Sequence, residues 1–165
     1  MENTENSVSE LEQYLSFTLG AEYYAINILR VQEIKGWTKP TPIPNSAEYV
    51  KGVINLRGTV VPIIDLRAKF NMEFSDYDKK TVVIVTKVKN KDSEKIVGIV
   101  VDSVADTQDI PNESIENAPE LGSQINTDFI KGISNVNEQM LIILDIDKLI
   151  NIGVLDTQVS LEENE

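Results

Sequence analysis

The sequence predicts an all-β protein built as a duplicated small barrel, with two lobes of roughly five strands each. Three observations carry that reading. Apolar and polar residues alternate with the period of a strand along most of the chain, while helical spacing is confined to short stretches. The strand-like runs come in pairs separated by turn residues. Sliding the chain by 80 positions lays residues 49–69 on 129–149 without a gap.

Taken in order, Leu15, Phe17 and Leu19 alternate with Tyr14, Ser16 and Thr18, the signature of a half-buried strand. Gly20-Ala21-Glu22 turns the chain into a second strand around residues 23–28, and Val31–Lys35 forms a short third. Residues 36–44 form a loop that Pro40, Pro42 and Pro44 keep extended. Residues 50–65 then read as a β-hairpin, two apolar runs with Gly58 supplying positive φ and Arg57 at the tip. A polar break at 75–80 separates this hairpin from a second one, residues 81–88 and 95–104, turning at Asn90-Lys91-Asp92. Residues 111–128 are looser, and 129–136 with 140–144 make the last strand pair. Helical turns are expected at 66–70 and 146–152.

Within the repeat, Lys51/Lys131, Gly52/Gly132, Asn55/Asn135, Ile63/Ile143 and Asp65/Asp145 are identical. Most other positions exchange one apolar residue for another. Both aspartates stand where a strand gives way to a helical turn, a good place for an N-cap. A weaker echo sets Ala25-Ile26-Asn27-Ile28 against Gly98-Ile99-Val100-Val101. The repeat also tests Arg57-Gly58, because the second copy has Asn137-Glu138 there. Closing the hairpin therefore does not require Arg-Gly. A long cation on a rigidly held tip suits a partner contact, and the alternative is a merely soluble turn residue.

Composition removes much chemistry. Without Cys or His there is no disulfide, Cys/His zinc site, thiol nucleophile or imidazole base. The net charge is −12, and the ends (1–10 and 156–165) hold −7 of it, leaving −5 for the body. An acidic body opposes phosphate backbones and anionic lipid, so no nucleic-acid partner is expected. The aromatics are scattered through this acidic chain, against an oligonucleotide-binding barrel. No run of eighteen apolar residues occurs, so no membrane insertion is expected. The acidic, polar start is the opposite of a signal peptide, and the cytoplasm is the expected compartment.

Phosphate-loop and nucleophile-elbow spacings are absent. The carboxylate pairs Asp76/Asp78 and Asp145/Asp147 are available for acid–base or metal work, and solvated charge accounts better for both. No enzyme, metal or cofactor is expected. Trp37 either caps the core or serves as an exposed interface anchor. The nearly continuous apolar runs Val82–Val85, Ile99–Val101 and Leu141–Leu144 read as strands of the second lobe. Such strands have both faces covered, or leave one for a partner such as an amphipathic helix.

These segments resemble the CheW family, the coupling proteins of bacterial chemotaxis. The resemblance covers about residues 12–150. It rests on Phe17-Thr18-Leu19-Gly20, on residues 28–34 (Ile-Leu-Arg-Val-Gln-Glu-Ile) and 52–58 (Gly-Val-Ile-Asn-Leu-Arg-Gly), and on residues 61–66 and 98–102. It implies two SH3-like five-stranded barrels sharing a hydrophobic core, with short helices. The division expected is a disordered acidic tail at 1–11, a CheW-like domain at 12–152 with its lobe boundary near 75–80, and a second disordered tail at 153–165. The function implied is that of a non-enzymatic adaptor joining the cytoplasmic tip of methyl-accepting chemoreceptors to the regulatory domain of the histidine kinase CheA. By the family pattern the receptor helix meets Leu15, Ile28, Val31 and Val101 with Arg57 at the edge. The kinase meets Glu33, Ile34, Trp37 and Ile43. A related adaptor carrying a receiver domain is the nearest rival.

Overall fold

The structure is a computed structural model and describes residues 11–73, 76–117 and 128–151. The two acidic tails fall outside these residues, except that Leu11 already begins the first strand. Residue 152 of the expected last helix also lies outside them.

Ten strands follow in order: β1 (Leu11–Leu19), β2 (Glu22–Asn27), β3 (Val31–Gly36), β4 (Val50–Leu56), β5 (Thr59–Asp65), β6 (Val82–Asn90), β7 (Ser93–Val101), β8 (Ser103–Pro111), β9 (Ile130–Val136) and β10 (Gln139–Leu144). A short helix α1 (Leu66–Lys69) follows β5, and residues 146–151 are helical after β10. The strands form two five-stranded sheets. Sheet 1 runs β8-β1-β2-β10-β9 and sheet 2 runs β3-β6-β7-β5-β4. The all-β fold with two five-stranded lobes is therefore as the sequence indicates.

The lobe boundary is not at 75–80. The chain starts in sheet 1, crosses to sheet 2 through the 3-10 turn Ile28–Arg30, and returns at Asp102. Residues 76–80 connect two strands of the same sheet, because the β6–β7 hairpin inserts between β3 and β5. For the same reason the apolar runs at 82–85 and 99–101 belong with the Arg57 hairpin, not with β10. Strand β8 also differs from expectation. The sequence reading runs one strand over 95–104 and assigns nothing to 105–110, because an edge strand of sheet 1 needs few apolar side chains.

The duplication is real in three dimensions. Ile63 lies opposite Gly98 across the parallel β5–β7 pair, and Ile143 lies opposite Ala25 across β10–β2. The offset of 80 thus makes Ala25 and Gly98 equivalent, in the register of the weak sequence echo. Isolated bridges Thr41–Val53 and Glu116–Ile133 close the two barrels at positions again 80 apart on the β4 and β9 side. This closure explains the shared glycines. A Cβ on Gly52 would sit 2.1 Å from the Thr41 carbonyl oxygen, and one on Gly132 would sit 2.6 Å from that of Glu116. Each N-cap aspartate also works as expected: Asp65 Oδ1 accepts the Arg67 N–H at 3.0 Å and Asp145 Oδ1 the Lys148 N–H at 3.1 Å.

Three apolar clusters account for the unbroken apolar runs. One spans both sheets, joining Phe17, Leu19 and Ile26 to Ile64, Ile84 and Ile99, with Leu149 and Ile150 of the last helix. Each barrel also has its own interior: Val61, Ile63, Val83, Val85 and Val100 in one, Tyr14, Ala25, Ile110, Leu141 and Ile143 in the other. Neighbours along a strand alternate between these destinations, so Ile84 enters the shared core while Val83 and Val85 fill the barrel. Most of these faces are covered by the protein itself.

Candidate partner-binding site

Strand β4 meets β5 in register from Leu56↔Thr59 inward, so Arg57 and Gly58 form a two-residue turn. Both have positive φ, 50° and 89°, as a type I′ turn requires. The equivalent Asn137 and Glu138 also have positive φ, 52° and 64°. The sequence expectation gave positive φ to Gly58 alone; the arginine shares it. Asn55 Oδ1 accepts the Gly58 N–H at 2.8 Å and fixes the turn from below. The Arg57 side chain is 70% exposed and pairs with Glu33 on β3. The turn holds the guanidinium, and the strand across the barrel mouth holds its acid. A hollow of about 120 Å³, lined by Gln32, Leu56, Arg57, Val61 and Ile96, lies beside the pair.

This geometry rearranges the expected site. Arg57 and Glu33, assigned to different partners, form one charged pair. Ile34 is 44% exposed, and its side chain leaves the opposite face of β3 from Glu33. Because β3 is an edge in the strand order, a partner touching both residues reaches around that edge. Leu15 and Val101 are 4% and 0% exposed and belong to the shared core, so neither offers a surface to a receptor helix. Both alternate inward on their strands toward the opposing sheet. Ile28 and Val31 are half-buried against that same core. Ile43 is half-buried, and its carbonyl accepts the Ser46 hydroxyl.

Trp37 resolves toward the core. It stacks on Tyr77 with ring centroids 3.9 Å apart and packs on the interior of the second barrel. The Tyr77 hydroxyl donates to Asp65 Oδ2 at 2.7 Å, and burial with this bond pushes its pKa up. The Arg67 guanidinium lies over the Tyr77 ring and faces Asp65 and Asp102 while only 4% exposed. Sequence reading missed this buried group, although a charged residue directly after an N-cap and an apolar residue was the available hint. Three of the four paired carboxylates are structural: Asp145 caps a helix, Asp147 pairs with Arg30, and Asp78 caps the turn at Lys80 and Thr81. Among the described residues no group of three acidic side chains is placed to hold a metal ion. No helix among them is long and apolar enough to cross a membrane.

The family model for the CheW-like domain matches residues 13–153. The chain belongs to the CheW family. A relative named chemotaxis protein CheW from Klebsiella aerogenes is 46% identical over 140 residues, covering 85% of this chain and 82% of the relative. Another of the same name from Bacillus subtilis is 36% identical over 142 residues, covering 85% and 87%. The crystal structure of the scaffolding protein TtCheW from Thermoanaerobacter tengcongensis superposes with a TM-score of 0.74 at 30% identity, covering 84% of this chain and 87% of that one. The CheW fold of two SH3-like lobes thus agrees with the two sheets and their shared core.

Proposed function

We propose that this CheW-family chain is a non-enzymatic adaptor of chemotaxis signalling. In this reading it works in the cytoplasm and couples methyl-accepting chemoreceptors to the regulatory domain of the kinase CheA. The observation that carries it is the Arg57–Glu33 pair, an exposed cation on a rigid turn held against edge strand β3, whose other face presents the exposed Ile34. Family membership supplies the partner classes. The kinase contact uses Glu33, Ile34 and the Ile43 loop; the receptor contact uses Ile28 and Val31 with Arg57 at its margin. Leu15, Val101 and Trp37 support these surfaces from beneath. Charged hydrogen bonds orient the partner, while apolar area supplies most of the affinity.

The test mixes the protein with a receptor cytoplasmic fragment and a kinase regulatory domain and looks for a ternary complex. Arg57→Glu places two acids together at the barrel mouth and should weaken assembly with the fold intact. A folded Arg57→Glu protein that assembles normally would remove Arg57 from the interface. Glu33→Lys should act mainly on kinase affinity, and unchanged affinity for the regulatory domain would defeat that assignment.

A further inference from the structure

The two lobes are held together by two ionic latches at equivalent places with opposite polarity. In the first, Arg67 of α1 reaches Asp102, the residue where the chain returns to sheet 1, at 3.2 Å. Asp102 Oδ2 in turn accepts the Gly20 N–H at 2.7 Å, at the end of β1. In the second, Arg30, in the turn where the chain leaves sheet 1, forks onto both oxygens of Asp147 at 3.1 and 2.5 Å. Asp147 Oδ1 accepts the Lys89 N–H at 2.7 Å, at the end of β6.

The registers make these arrangements counterparts. Ser16 lies opposite Ala25 and Val85 opposite Gly98, so Gly20 and Lys89 occupy equivalent positions four residues on. Arg67 and Asp147 are 80 apart. The equivalent backbone N–H meets a carboxylate in both latches. The cation, however, rides on the helix in one and on the crossover in the other.

The two hairpin–helix units, residues 49–69 and 129–149, are alike along their strands and differ at the turn, at Ile54/Ser134 and at Lys69/Leu149, of which Leu149 is buried in the shared core. Both carry the closing glycine, the N-cap aspartate and interchangeable apolar residues, and both pair in parallel with an equivalent strand, β7 or β2. We propose that the opposed polarity adds to this difference in directing each unit to its own sheet, and disfavours a unit seated in the other unit's place, whether in the same chain or in a second copy of it. A unit in the wrong seat brings Arg67 against Arg30, or Asp147 against Asp102. Like charges in a partly buried seat disfavour the exchanged arrangement, whereas each native seat is paired.

The test makes both latches alike. In Arg30→Asp/Asp147→Arg, both helices carry a cation and both crossovers an acid, so the native seats stay paired and the rejection is lost. The protein is unfolded in denaturant, refolded over a range of concentrations and separated by size, with native melting temperature measured alongside. We expect a melting temperature near that of the parent and a fraction of exchanged dimer raised by about tenfold, the loss of roughly 1.4 kcal/mol of discrimination. Arg30→Gln/Asp147→Asn keeps the hydrogen-bonding shapes without the charges and should raise the dimer fraction to an intermediate level; it carries the test if the charge-exchanged protein fails to regain its melting temperature. Parent-like monomer yield in the folded variants, at all concentrations, would overturn the proposal.

Discussion

Arg57 sits where an arginine costs stability, and that cost is measurable. Both turn residues have positive φ, a region that disfavours side chains other than Gly and Asn by about 1–2 kcal/mol. The other hairpin has Asn137 at this place. Replacing Arg57 by Asn should therefore recover about 1 kcal/mol of backbone strain. Against this stands the ion pair with Glu33. With the arginine 70% exposed, the pair contributes only about 0.2–1 kcal/mol after solvent screening. The two contributions separate in a Glu33→Gln background, where the ion pair is already gone. There, Arg57→Asn should raise the melting temperature by about 2–4 °C, the shift that 1 kcal/mol gives in a chain of this size. In the parent protein the gain should be smaller by the worth of the pair. The converse change, Asn137→Arg, should lower the melting temperature by a similar amount. A lower melting temperature for Arg57→Asn in the Glu33→Gln background would refute the argument that the arginine is held at a conformational cost.

Other consequences follow from the core and the closure. Gly52→Ala should lower the melting temperature by several degrees, because its φ of 141° and the Thr41 carbonyl both exclude a Cβ, at about 1–3 kcal/mol for the backbone alone. Thermal melts of that variant measure it, and a neutral result would mean the barrel closes differently. Leu149→Ala, at 0% exposure in the shared core, should cost about 2–5 kcal/mol. Because that core spans both sheets, fluorescence of Trp37, the single tryptophan, should shift together with far-UV circular dichroism; separated transitions would contradict a common core. The raised pKa of Tyr77 fixes the sign of an alkaline effect. An unfolded tyrosine ionises near 10.0 while the folded one resists, so this stability is full below pH 10 and is lost as pH rises above it. Tyr77→Phe should be less stable at neutral pH by about 1 kcal/mol and show a flatter decline above pH 10, measured by denaturant melts.

The sequence made the regular parts legible for physical reasons. Alternation exposes a strand when one face is wet, as in β1, and an ungapped offset exposes a duplication even where identities are few. The Asp65 and Asp145 caps followed from residue type and place alone. What stayed hidden depends on long-range order. Strand β8 carries the exposed acids Asp106 and Asp109 and only Ile110 fully buried, so its local pattern is weak and its pairing with β1 supplies the order. The sheet crossovers at 28–30 and 102 leave no compositional mark, whereas the polar run at 75–80 looks like a boundary and is none. Leu15 and Val101 were misassigned because an apolar residue facing a groove and one facing another sheet have the same sequence signature. Only the second sheet, laid over the first, decides between them.

The duplicated scaffold is its own control for the functional residues. Glu33 lies opposite Val85 on β6; beside the equivalent Ser16 on β1, where β8 bulges, stands Asp106, whose backbone N–H donates to the Ser16 hydroxyl and whose carbonyl accepts from it. Both barrel mouths therefore keep an acid at the edge strand. Both hairpins keep the same two-residue turn with positive φ at both positions, and an exposed apolar residue two places after it, Val60 in one and Met140 in the other. The difference is the cation. One turn sets Arg57 against its acid, and the other presents Asn137, the residue that the backbone prefers. Features common to both lobes are explained by closing a barrel, whereas the arginine is not, since its equivalent closes the same turn without it. The retained strain at Arg57 thus falls on a charged contact that the other mouth lacks among the described residues, as the proposed role of Arg57 in orienting a partner requires.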